Sequence, residues 1–116
     1  MPENQSTFPE VDRLIHEPAR LAILTVLSAC ESADFTFLQS ATGLSKGNLS
    51  VQLTRLDEAG LINVDRVLHR KTTRTSVALT TRGKQQFDEY WLTMKKIRGR
   101  GAARPTKILT SVRAQH

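Results

Sequence analysis

Cysteine occurs once in the 116 residues, as Cys30, so no disulfide can form within the chain and a reducing compartment is permitted. Leu27 and Ala29 beside it favour a buried, inert thiol; the other reading is a lone redox-sensing cysteine, although nothing local activates it. The three histidines, His16, His69 and His116, are scattered. Together with one cysteine they make no ligand-spacing motif, so neither metal nor cofactor is expected. Gly43 and Gly47 lack the Lys-Ser/Thr pair of a phosphate-binding loop, and no serine or cysteine sits in a nucleophile motif, which argues against an enzyme. The most apolar stretch, Leu21 to Cys30, is too short to span a membrane. The start Met1-Pro2-Glu3-Asn4-Gln5 has neither the basic residues nor the apolar run of a secretory signal, and the expected location is the cytoplasm.

Acidic residues are absent after Glu89. Residues 1–34 hold six acids against two bases, net −4, whereas residues 35–116 hold five acids against fifteen bases, net +10. A basic C-terminal part and a pI near 10.1 favour a polyanionic partner. A chain of this length makes one domain that buries roughly two-thirds of its unfolded surface, enough for a modest core without staples.

What is present points to DNA. Phe35, Phe37 and Leu38 supply a first short helix that Gly43 can end in the left-handed conformation. Ser45 can cap the next helix, over 45–59, in which Leu49, Leu53 and Leu56 form one apolar stripe and Gly60 marks the stop. The opposite face carries Gly47, Ser50, Val51 and Thr54, with Lys46 and Arg55 at its edges and no carboxylate before Asp57 and Glu58. A small, hydrogen-bonding, uncharged face of this kind suits the major groove.

Leu61 to His69 alternates apolar and polar residues as a strand does, and Arg74 to Leu79 is rich in Thr and Val. Arg70, Lys71, Thr72 and Thr73 fill the connection, giving a hairpin with a basic tip. A helix-turn-helix followed at once by such a hairpin has the order of a winged helix: a mainly α fold with a small β-hairpin wing.

Around this centre, residues 1–10 are expected to be disordered, Val11 to Ile15 to make a short helical turn, and Pro18 to open a helix that Leu21, Ile23, Leu24, Val26 and Leu27 make apolar nearly all round. Its second buried side meets either its own core or a partner chain. Thr80 or Thr81 can cap a last helix reaching about Ile97. There Phe87, Tyr90, Met94 and Ile97, with Trp91 beside them, have the spacing of a helix-helix seam. This helix either lies on its own domain or pairs two copies; the second reading is preferred, with Val11, Leu14, Ile15, Phe87, Tyr90, Trp91, Met94 and Ile97 as the dimer surface. Residues 11–98 form the domain, and 99–116 are expected to be a flexible basic tail.

The chain resembles the compact winged-helix transcriptional regulators related to the MarR and ArsR groups. The likeness is carried by His16-Glu17-Pro18-Ala19-Arg20-Leu21-Ala22-Ile23-Leu24, by Gly43-Leu44-Ser45-Lys46-Gly47-Asn48-Leu49-Ser50, by Leu56-Asp57-Glu58-Ala59-Gly60-Leu61-Ile62 and by Leu79-Thr80-Thr81-Arg82-Gly83. It implies a homodimeric, sequence-specific regulator that binds double-stranded DNA, with helix 45–59 in the major groove and wing 66–76 on the backbone or in the minor groove. The contact residues so implied are Ser45, Lys46, Gly47, Asn48, Ser50, Val51, Thr54 and Arg55, then Arg70, Lys71, Thr72 and Arg74. Ser50 and Thr54 are expected to donate hydrogen bonds, and Val51 to touch a thymine methyl. Against this, Val51 is a common kind of isolated exposed valine, and the hairpin charges protect strand edges from aggregation. The metal ligands of ArsR-like sensors have no counterpart here, and nothing identifies a small-molecule effector. A winged-helix protein-interaction module and a non-specific architectural DNA binder are the alternative functions.

Overall fold

Glu17, in extended conformation, turns its carboxylate back to accept the backbone N–H of Arg20 at 2.8 Å, and Pro18 needs no N–H at the first helical position. Helix α1 (Pro18–Ser28) starts there in the structure, a computed structural model that describes residues 10–103. The segments expected to be loose before residue 10 and after residue 103 lie outside the described residues. Ahead of α1 the expected helical turn is present: His16 N–H donates to the Asp12 carbonyl at 2.8 Å, while the Asp12 carboxylate accepts the N–H of Leu14 at 3.0 Å.

The chain continues through β1 (Ala33–Asp34), α2 (Phe35–Thr42), α3 (Lys46–Glu58), β2 (Ile62–His69), β3 (Thr72–Leu79) and α4 (Thr81–Ala103). The described residues fall into two compact units: residues 12–88, and Glu10 and Val11 with residues 89–103. In the first, α1 touches α2, α3 and β3, and Ile23, Leu24 and Leu27 are sealed from water. Its burial on more than one side is therefore met within its own unit. Leu49, Leu53 and Leu56 face the same core from α3, each adding about 2 kcal/mol by leaving water.

Three differences from the sequence reading have physical causes. Strand β1, a two-residue element too short to leave a periodic signal, pairs antiparallel with β3 through Ala33 and Val77 and makes the sheet three-stranded in the order β1-β3-β2. Because β1 is so short, the outer part of the hairpin has no third strand. Burial alternation therefore stops after Val64, and Val67 and Leu68 are exposed. Helix α4 continues past Ile97 to Ala103, so residues 99–103 are helical and not tail. Gly99 and Gly101 cost about 1 kcal/mol each there, but Arg100, the cation in the last turn, favours a helix C-terminus by its charge. Cys30 is half-buried.

The end of α3 and the start of α4 are clamped together. Leu61 N–H reaches the Leu56 carbonyl at 3.0 Å and Gly60 N–H reaches Asp57 at 2.9 Å, a Schellman ending. Thr80 donates its backbone N–H to Leu61 and its hydroxyl to the Gly60 carbonyl, and its Oγ1 accepts the N–H of Gly83 at 2.9 Å. Thr80 is thus the cap of α4.

Candidate nucleic-acid interface

The turn between α2 and α3 is built by Gly43, whose φ of 73° lets its N–H close on the Gln39 carbonyl at 2.9 Å. Ser45 then accepts the N–H of Asn48 on its hydroxyl at 3.1 Å and starts α3. With the three leucines turned inward, Lys46, Gly47, Asn48, Ser50, Val51, Thr54 and Arg55 are all exposed, Val51 at 50%.

The hairpin is tighter than expected. His69 pairs with Thr72, so only Arg70 and Lys71 turn, at φ of 50° and 67°, and Thr72 and Thr73 belong to β3. With both central residues at positive φ the turn is of the type I′ kind, whose twist matches that of the strands and which Asn-Gly fills without strain. Two long cations in left-handed conformation cost about 1 kcal/mol each. Replacing Arg70-Lys71 by Asn-Gly should therefore raise stability by about 1–2 kcal/mol in a urea titration while weakening DNA binding; tighter or equal binding would remove the tip from the interface.

A groove runs between α3 and the hairpin, lined by Ser50, Thr54 and Asp57 from α3 and Val64, Arg66 and Thr75 from the hairpin, and also by Phe35. A second lies between α2 and β3, lined by Thr36, Phe37 and Ser40 together with Thr73 and Arg74. Phe35 and Thr75 line both, so Ser50 and Thr54 are brought together with Arg74 on one side of this unit. Lys46, Gly47, Asn48, Val51 and Arg55 stand outside the grooves on α3, and Arg70 and Lys71 stand beyond them at the tip. Sequence reasoning missed Thr36 and Ser40, whose i, i+4 hydroxyls on α2 were the available signal, and Arg66, which opposes the helix from β2.

One expected role changes. The Thr54 hydroxyl donates to the Ser50 carbonyl at 3.0 Å, so its hydrogen is engaged within the helix and the side chain presents oxygen lone pairs and a methyl group instead of a donor. Asn48 Oδ1 accepts from Gln52 Nε2 at 2.9 Å, and Gln52 Oε1 accepts from Arg20 Nη1 at 2.8 Å. Arg20 was invisible in the sequence as part of this surface, because α1 reads as a core helix.

Of the residues expected on a dimer face, Ile15, Phe87 and Tyr90 are already buried in the single chain. Val11, Leu14, Met94 and Ile97 are half-buried and Trp91 is 47% exposed; its neighbour Leu92, not foreseen, is 58% exposed. Tyr90 and Trp91 meet edge-to-face with ring centroids 5.1 Å apart. Among the described residues no helix is long and apolar enough to cross a membrane, and no three metal-capable side chains cluster.

Comparison with known proteins places this geometry. The chain is 26% identical over 78 residues to an uncharacterized protein of Methanocaldococcus jannaschii, covering 67% of this chain and 85% of that one. A transcriptional regulator homologue from Pyrococcus horikoshii OT3 superposes with a TM-score of 0.72 at 25% identity, over 76% of this chain and 87% of that chain. A MarR-family transcriptional regulator from Silicibacter pomeroyi shares the fold, with a TM-score of 0.60 at 22% identity over 89% of this chain and 72% of its own. The family described as winged helix DNA-binding domain matches residues 19–98, from the first turns of α1 through the helix-turn-helix and hairpin into α4, and the chain belongs to that family.

Proposed function

We propose that the protein is a homodimeric, sequence-specific regulator of transcription that acts on double-stranded DNA in the cytoplasm. Its α3 lies in the major groove, and its hairpin lies on the backbone or in the minor groove. The observation that carries the reading is the exposed face of α3, free of carboxylate from Lys46 to Leu56, opening on a groove shared with a hairpin that bears Arg66, Arg70, Lys71 and Arg74. An interaction module has no use for that pairing. The regulator homologue of Pyrococcus horikoshii supports the transcriptional role.

In this reading the two elements do different work. Val51 meets base edges, so Val51→Ala loses about 1 kcal/mol or more against the preferred site and little against random DNA. Arg74 meets phosphate, so Arg74→Ala weakens both DNAs by similar factors and lowers the magnitude of the salt slope by about one for each phosphate no longer neutralised. Fluorescence anisotropy on the two duplexes measures both. Equal losses for Val51→Ala, or a selective loss for Arg74→Ala, would mean that readout belongs to the other element; no effect of either would favour the interaction module.

The dimer rests on α4, where Trp91 and Leu92 are exposed and Met94 and Ile97 half-buried. A two-fold pair sets its recognition helices about 34 Å apart and reads an inverted repeat. Light scattering at tens of micromolar should give twice the chain mass, falling to one when Trp91 and Met94 are both changed to Glu. A monomeric wild-type protein would remove the seam.

A further inference from the structure

Arginine has only hydrogens to give. Its guanidinium carries five N–H donors and no acceptor, so the atom of Gln52 that faces Arg20 at 2.8 Å must be the carbonyl oxygen Oε1. That fixes the other end of the Gln52 amide: Nε2, a donor, faces Asn48 at 2.9 Å, and the atom it meets must be the acceptor Oδ1. The orientation of both amides follows from the chemistry of Arg20. Asn48 is left with its Nδ2 amino group as the end with hydrogens to donate, on an exposed residue in the first turn of α3.

Arg20 is itself held. Its Nε donates to the Leu14 carbonyl, and its backbone N–H is capped by the Glu17 carboxylate. Gln52 is half-buried between Arg20 and the exposed Asn48. Donation along this row therefore runs outward from Arg20, back to the turn before α1 on one side and through Gln52 to Asn48, on the helix proposed for the major groove, on the other.

We propose that Arg20 and Gln52 are positioning residues that make Asn48 a hydrogen-bond donor toward the bases, so that it reads an acceptor edge, guanine O6/N7 or thymine O4. An asparagine that is free to turn uses donor and acceptor together on adenine. Here Gln52 already engages one of the two lone pairs of Oδ1, so the N6 donor that adenine sets beside its N7 acceptor is met less well than the paired O6 and N7 acceptors of guanine. The inference rests on α3 entering the major groove.

Gln52→Glu reverses the row. A carboxylate still accepts from Arg20 but has nothing to donate to Asn48, whose amide turns its Nδ2 inward and its Oδ1 outward. The experiment is selection from a randomised duplex library with the full chain, as wild type, Asn48→Ala and Gln52→Glu. Asn48→Ala identifies the position that Asn48 reads, as the one where preference collapses. At that position wild type should favour guanine or thymine, and Gln52→Glu should shift the ratio by about tenfold toward adenine or cytosine, whose amino groups donate. The ratio is read because the added negative charge weakens all DNA alike. Should Gln52→Glu melt at the working temperature, Asn48→Asp keeps the bond from Gln52, replaces the outward amino group by oxygen, and is expected to shift the same ratio the same way. An unchanged preference in the folded variant overturns the proposal, as does a uniform loss at every position for Asn48→Ala, which would put Asn48 on phosphate. A wild-type protein that binds but enriches no sequence overturns the specific-regulator reading and this inference with it, whereas an enriched motif indifferent to residue 52 overturns the inference alone.

Discussion

Raising the salt from 50 to 200 mM should lower the affinity for duplex DNA by roughly 10³- to 10⁵-fold. The cations available are Lys46 and Arg55 on α3 and Arg66, Arg70, Lys71 and Arg74 on the hairpin, all exposed. If each subunit of a dimer neutralises about three to five phosphates, the released counterions give a log-log slope of roughly −5 to −9. Asp57 and Asp65 stand among these residues and reduce the local field, which is why fewer contacts are expected than there are cations. A titration in potassium chloride by anisotropy measures the slope. A slope near zero, or no binding at 50 mM, would exclude phosphate as the main partner of this surface.

The second large effect concerns folding. A Cβ on Gly83 would stand 2.0 Å from the Leu61 carbonyl oxygen and 2.8 Å from its carbonyl carbon, backbone atoms that cannot rotate away as a side chain does. Leu61 cannot yield easily. Its side chain is fully buried, its N–H closes the end of α3, and its carbonyl accepts the Thr80 N–H at 3.0 Å. Gly83→Ala must therefore pull the start of α4 away from Leu61 and break the Thr80 cap. We expect a loss of about 3 kcal/mol or more, a fall in Tm of roughly 10–20 °C. Gly99→Ala, at a helical position with nothing within 4 Å, should be neutral or slightly stabilising and serves as the control. Thermal melts of the two variants compare them directly, and equal melting temperatures would show that the close approach does not constrain the fold.

The helix-turn-helix was legible because its signals are local. Gly43, Ser45 and the leucines at 49, 53 and 56 specify a turn, a cap and an inward face within one stretch of chain, and each does so in the structure. The same holds for Pro18 at the start of α1 and Thr80 at the start of α4. The hairpin's strands were legible, but its turn was not: nothing in Arg70-Lys71 signals two left-handed residues, because the twist of the paired strands imposes that conformation. Nor did the heptad spacing in α4 separate buried from half-buried positions. Phe87 and Tyr90 share their periodicity with Met94 and Ile97, and only burial divides them.

What the chain's order of residues determined by itself was the set of helices, the starts of α1, α3 and α4, the glycine stops after α2 and α3 and the carboxylate-poor face of α3, since caps, glycine turns and apolar periodicity act over a few neighbouring residues. The tertiary structure alone decided which groups meet across distance. It set Arg66 opposite Ser50 and Thr54, pressed Gly83 onto Leu61, and joined Arg20 to Asn48 through Gln52, which lies 32 residues from Arg20 in sequence. Such contacts depend on how α1, α3 and the hairpin pack, and no local pattern encodes the direction in which a side chain amide will point.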